Sequence, residues 1–221
     1  MKIGIIGAGN IGKNAAIQFV KAKHQVRLSN GKQPETMADR VAEVGGDCEA
    51  ATIADAVAFA ELVLLAMPWP KREEAIGSAG SFEGKVVIDA TNPYTADFPK
   101  LDALGDKTAS EVIVSLLPGA KVVKALSTIQ YLSLRHKGQP ADPQKKGAPD
   151  GRICLPICGD DTSAKAVVAE LLSDIGFEPM DLGPLKMGRH MEPFQLLYSR
   201  DYVVAQVREQ LRRSGIELEA G

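Results

Sequence analysis

The chain has 221 residues, 45% of them hydrophobic and 24% charged, with 26 Lys+Arg against 28 Asp+Glu. That length suits one sizeable domain with or without a small appendage, and the near-balanced charge excludes both a disordered chain and a basic nucleic-acid binder. The best apolar stretch, VAFAELVLLAMPWP, is interrupted by Glu61 and Pro68 and is too short to cross a bilayer.

In chain order, Lys2–Ile6 reads as a strand rather than a signal peptide, so the expected location is cytoplasmic. A helix follows from Ile11, with Ile11, Ala15, Phe19 and Ala22 at helical spacing. Further strands are predicted at Gln25–Ser29, Asp47–Ala51, Leu62–Met67 and Lys85–Ala90, alternating with helical patterns. TASEVIVSLLPG is a helix stopped by Pro118-Gly119, and KVVKALST is the next strand. The rhythm is that of repeated βα units, which build a mostly parallel sheet wound by helices on both faces.

From Arg135 to Gly151 the sequence is rich in Pro, Gly and charge and has no period, so a mobile loop at 135–151 is expected. RICLPICGDD then resumes as a strand, DTSAKAVVAELLSDIG as a helix capped near Asp161 or Thr162, and FEPMDLG as a strand. A last helix is predicted to place Phe194, Leu197, Tyr198, Tyr202 and Ala205 on one core-facing stripe. The expected division is a nucleotide-binding domain over 1–127 and a smaller C-terminal α/β portion over 128–221.

The segment Gly7-Ala8-Gly9-Asn10-Ile11-Gly12 is GxGxxG directly between an apolar strand and an amphipathic helix. In that context Gly7 permits the tight turn, Gly9 lets the backbone approach a pyrophosphate, and Gly12 lets helix pack on strand, which is the cradle of a Rossmann NAD(P)-binding fold. An NAD site commonly has an acid at the end of the second strand for the ribose 2′-OH. Here stand Ser29, Asn30, Gly31 and Lys32. A hydroxyl, an amide and an ammonium can all bond a 2′-phosphate, so the expected cofactor is NADP(H).

Ligands of such sheets lie beyond the carboxyl ends of the strands. Met67, Pro68, Trp69 and Asn92 are therefore added to the candidate cofactor-binding residues, with Trp69 read either as a wall for the nucleotide or as a cap on the next helix. Ser127 and Thr128 are candidates for lining the hydride-transfer gap, with the acceptor between Ser127–Ile129 and Gly188–Pro193. Arg189, His190 and Glu192 are read as fixing a helix end. No catalytic residue is expected, because a nicotinamide cofactor itself carries the chemistry of hydride transfer and asks the protein for closeness and dryness more than for an acid or base. Three cysteines and three histidines show no metal-ligand spacing, so no metal is expected and the thiols are read as buried.

IIGAGNIGKN, LSN, AMPWP, KALSTI, PICGDDTSAK and DIGFEPMDLGPLKMGRHMEP, in that order, resemble the landmarks of the coenzyme F-420-dependent (deazaflavin) NADP oxidoreductases and their relatives. The resemblance implies a hydride passed between NADP(H) and a flavin- or deazaflavin-like co-substrate, a small-molecule acceptor being the expected partner and a homodimer an allowed state. Two other functions use the same cradle: a small-carbonyl or imine dehydrogenase of the β-hydroxyacid type, and a non-catalytic NADP(H) sensor.

Overall fold

The computed structural model describes residues 1–139 and 151–218. The first part of the chain alternates strand and helix: β1 (Lys2–Ile6), α1 (Asn10–Lys21), β2 (Gln25–Ser29), α2 (Ala38–Val44), β3 (Cys48–Ala50), α3 (Ile53–Phe59), β4 (Leu62–Leu65), α4 (Arg72–Gly77), β5 (Val86–Asp89), α5 (Ala109–Leu116), β6 (Lys121–Lys124) and α6 (Tyr131–His136). Then come β7 (Cys154–Gly159), α7 (Thr162–Asp174), β8 (Glu178–Asp181) and α8 (Val204–Arg213).

Among the described residues, the strands form one sheet in the order β3-β2-β1-β4-β5-β6-β7-β8. The pairings from β3 through to β6 are all parallel. β7 reverses to run antiparallel to β6, setting Lys124 opposite Cys158, and β8 is parallel to β7. This is the doubly wound, mostly parallel α/β sheet that the βα rhythm implies.

Strand side chains alternate between the faces, so a strand covered on both sides is a continuous apolar run. In β4, Leu62 and Leu64 join a core containing Phe19, Leu28 and Leu134, while Val63 and Leu65 join another containing Val57, Ile76 and Ile113. A third cluster, with Met180, Leu185, Met191, Leu197, Val207 and Leu211, gathers on β7 and β8 around Cys154 and Cys158. The three cysteines are free and buried. Burial pushes the Cys48 thiol up to about 11 and those of Cys154 and Cys158 up to about 12.

Local signals set the helix starts. Thr108 and Glu111 form a reciprocal capping box at the head of α5. Of the two residues expected near the cap of α7, Asp161 takes the role and accepts from the Ala164 amide at 2.8 Å, while Thr162 begins the helix. Hydrogen bonds from Ser163, Ala164 and Lys121 hold the Asp161 carboxyl well below the usual carboxylate range.

Two expectations change. The final helix begins at Val204, not near Phe194: Phe194 (φ 65°) and Ser199 (φ 54°) take left-handed backbone angles that no α-helix accommodates. The segment is held instead by long-range bonds, Cys154 N–H donating to Tyr202 O at 2.7 Å and Ser133 Oγ–H to Asp201 at 2.7 Å. Leu197 is buried while Phe194 is 70% exposed, so they share no stripe. Of the predicted loop 135–151, Arg135 and His136 close α6 and residues 140–150 lie outside the described residues. Arg135 is tied down by Glu43 (2.7 Å) and Asn14 (3.2 Å). Among the described residues, no helix is long and apolar enough to cross a membrane.

Candidate functional site

A cleft of about 1400 Å³ opens at the carboxyl ends of β1, β2, β4 and β5. Its floor is the turn from Gly7 to Ile11; one wall is Asn30–Gln33 with Thr36 and Arg40, and the other runs from Met67 to Lys71 and on to Thr91, Asn92 and Tyr94. β4 and β5 stop at Leu65 and Asp89, short of the predicted ends Met67 and Ala90, and the residues released there face the cleft.

The three glycines of the cradle have different surroundings. Gly7 sits at φ 112°, and a Cβ on it would lie 2.5 Å from the Ala66 backbone; its N–H donates to Ser29 O at 2.8 Å. A Cβ on Gly12 would lie 1.8 Å from Gly7 O, so the helix could not rest on the turn. Around Gly9 there is nothing within 4 Å of a Cβ, leaving the backbone open to a ligand. Gly9 is also the N-cap of α1 and supplies no side-chain cap, so the positive end of the helix faces the cleft. Ala8, Asn10 and Ile11 complete this floor.

On the opposing wall, Asn30 and Lys32 line the cleft, and Asn30 Oδ1 accepts from the Lys32 amide at 2.9 Å in a tight turn. Ser29 is placed differently. It is fully buried, and its hydroxyl donates to Ile5 O at 2.8 Å, stitching β2 to β1. Arg40, which the sequence reading passed over, lines the cleft and donates through Nη1 to Ala8 O, so the guanidinium is held against the cradle turn. Between Asn30 and Arg40 the lining residues contribute two cations and no carboxylate.

Met67, Pro68 and Trp69 all line the far wall. Trp69 does not project, being 2% exposed: its indole N–H donates to Asp102 at 2.8 Å, and the Arg72 guanidinium stacks 4.2 Å from its ring. Asn92 lines the cleft and donates through Nδ2 to Ser127 O at 3.1 Å, while its buried Oδ1 has no hydrogen-bond partner among the described residues. Ser127 and Thr128 are buried behind it and are not among the residues that line the cleft, and the Ser127 hydroxyl has no hydrogen-bond partner among the described residues.

Behind Asn92 lies a buried polar centre. Lys124 and Asp89, both fully buried, pair at 3.7 Å. Asp89 accepts from Thr91 N–H (2.9 Å), Thr91 Oγ–H (2.6 Å) and Ser110 Oγ–H (2.5 Å), while Lys124 donates to Thr91 O at 3.2 Å. The pair therefore grips Thr91 from both sides and fixes Asn92 after it. Gly188 closes the centre, since a Cβ there would come within 2.8 Å of Lys124 Cδ. Glu192 accepts from the Ala109 amide at 2.6 Å and Arg189 donates to Asp106 O at 3.1 Å, so this segment serves the head of α5 rather than the last helix. Burial raises the Glu192 carboxyl above its ordinary range and lowers His190.

Residues 2–93 match the family described as NADP oxidoreductase, coenzyme F420-dependent. The metalloreductase STEAP3 of Rattus norvegicus is 28% identical over 202 residues, which cover 90% of this chain and 37% of that protein, so the chain spans little more than a third of that relative's length. A crystal structure of a hypothetical protein from Sinorhizobium meliloti superposes with a TM-score of 0.80 at 30% identity, covering 92% of this chain and 95% of the other. A candidate F420-dependent NADP-reductase from Arthrobacter sp. FB24 superposes with a TM-score of 0.73 at 28% identity, covering 86% and 87%. Through residues 2–93, which carry the cradle and the acid-free second wall, the chain belongs to the coenzyme F420-dependent NADP oxidoreductase family.

Proposed function

We propose that the chain is an NADP(H)-dependent oxidoreductase that passes a hydride between NADP(H) and a planar flavin- or deazaflavin-like acceptor. The observation that carries it is the wall from Asn30 to Arg40, whose lining residues include Lys32 and Arg40 and no carboxylate, a charge balance that suits a 2′-phosphate. Gly7–Ile11 would hold the pyrophosphate, and the unpartnered Asn92 Oδ1 suits a hydroxyl or carboxamide donor at the nicotinamide end.

When bound, NADPH supplies two electrons and one proton as hydride, and the oxidised acceptor takes these with one further proton from solvent. The chain's own part is positioning. Lys71 is engaged by Glu74 at 2.9 Å, and burial with a bond to Tyr198 raises the Tyr94 hydroxyl, which stays neutral. Neither is arranged as an acid or base, in keeping with a reaction whose demands are closeness and exclusion of water. The family description, with its deazaflavin coenzyme, supports a planar acceptor. Three buried free thiols suit a reducing compartment such as the cytoplasm.

Calorimetry with the two nucleotides tests this reading. NADPH is expected to bind at least about tenfold more tightly than NADH, or ~1.4 kcal/mol, and Arg40→Glu should abolish or invert that preference, with a smaller change in Lys32→Glu. Equal affinities in the unmodified protein, or an unchanged ratio in both variants, would remove the assignment.

A further inference from the structure

The acceptor's resting place can be taken further, on the proposal above that the chain transfers hydride. Ser127, Thr128, Gly188 and Met191 are buried, so these residues themselves present no face to an acceptor. Open surface lies beside them. Tyr94 lines the cleft two residues beyond Asn92. Two phenyl rings pack on it: Phe98 with ring centroids 4.8 Å apart and tilted, and Phe194 at 6.4 Å edge-to-face. They are 73% and 70% exposed, the two most exposed large apolar side chains among the described residues. A lone exposed apolar residue is ordinary, but two that share one tyrosine at the mouth of a cleft form a patch.

The patch is built rather than incidental. Phe194 holds a left-handed backbone angle (φ 65°), an unfavourable state for a bulky residue, and such strain persists only where the surroundings impose it. Those surroundings are present: Glu192 is anchored on the Ala109 amide, and Leu197 N–H donates to His190 O at 3.0 Å across the turn. Tyr94 is fixed from behind by its hydroxyl contact with Tyr198 at 3.1 Å.

We infer that Tyr94, Phe98 and Phe194 form the binding platform for the acceptor, a planar heteroaromatic ring system of the flavin class that packs on the two exposed phenyl rings. The chemistry matches: aromatic rings prefer offset or edge-on contacts with one another, and a ring held there adjoins the cleft at its Asn92 end.

Binding of riboflavin to the protein saturated with NADP+ tests this, read by quenching of riboflavin fluorescence. The exposed pair is replaced together, Phe98→Ser with Phe194→Ser. Leu132→Ser, an exposed apolar residue on α6, serves as the control. The platform predicts at least about a tenfold weaker riboflavin dissociation constant in the double variant, no change in the control, and unchanged NADP+ affinity in both. Equal riboflavin binding by the double variant and the unmodified protein, or no riboflavin binding by either, overturns it. So does a change from dimer to monomer on sedimentation with riboflavin binding intact, which would make the patch an interface between copies. If riboflavin binds in a phenyl-dependent way but NADPH is not oxidised, the platform stands and the hydride-transfer proposal fails.

Discussion

Lys124→Met is expected to destabilise the fold by about 3 kcal/mol, toward the lower end of the range for removing one partner of a buried ion pair. The cost arises from Asp89, which is fully buried and would lose its counter-ion. Its three hydrogen bonds from Thr91 and Ser110 survive the substitution and limit the loss. For a domain of this size the melting temperature should fall by roughly 6–12 °C. Lys124→Met combined with Asp89→Asn removes both charges and should recover more than half of the loss, because a neutral amide is far cheaper to bury than an unpaired carboxylate. Urea unfolding of the single and double variants measures both quantities. A single variant within about 0.5 kcal/mol of the unmodified protein would mean that the pair contributes nothing.

Gly9→Ala and Gly12→Ala are expected to separate binding from folding. At Gly12 a methyl group would have to displace the Gly7 carbonyl, 1.8 Å away, which pushes α1 off the cradle turn. That overpacking should cost about 1–3 kcal/mol of stability and abolish nucleotide binding with it. At Gly9 the methyl group meets no atom within 4 Å, so stability should be unchanged to within about 0.5 kcal/mol. The same methyl would stand where a pyrophosphate approaches, and NADPH affinity should fall by about a hundredfold, or ~2.7 kcal/mol. Thermal unfolding together with calorimetry gives both numbers. Undiminished NADPH binding by a stable Gly9→Ala protein would place the nucleotide elsewhere.

Much of the sheet was legible because its signals are local. The apolar runs of β1, β4 and β7 are covered on both faces and carry their own pattern, and the cradle announces itself in consecutive residues between strand and helix. The last segment was misread because Phe194, Leu197, Tyr198 and Tyr202 fall at spacings that a helix would use, while the bonds that prevent a helix come from Cys154 and Ser133, far away in sequence. Ser29 illustrates a second limit: its position at the end of β2 was plain, but whether its hydroxyl turns outward or to Ile5 depends on the neighbouring strand. Arg40 had only a weak signal, a cation in the helix after the second strand, and it reaches the cleft because the turn at Pro34–Met37 folds α2 back over Ala8. The grouping of Tyr94 and Phe98 with Phe194 joins residues about a hundred positions apart and has no sequence signature at all.

The most direct test of the central claim follows a deuterium placed stereospecifically at one C4 position of NADPH, with 5-deazariboflavin as acceptor, because its C5 is carbon and retains what it receives. Hydride transfer across one cleft predicts that deuterium from a single face of the nicotinamide appears at C5 of the reduced deazaflavin, with none lost to water. Failure of deazariboflavin, FMN, riboflavin and quinones to oxidise NADPH, while a small carbonyl or imine takes up the deuterium, would contradict it.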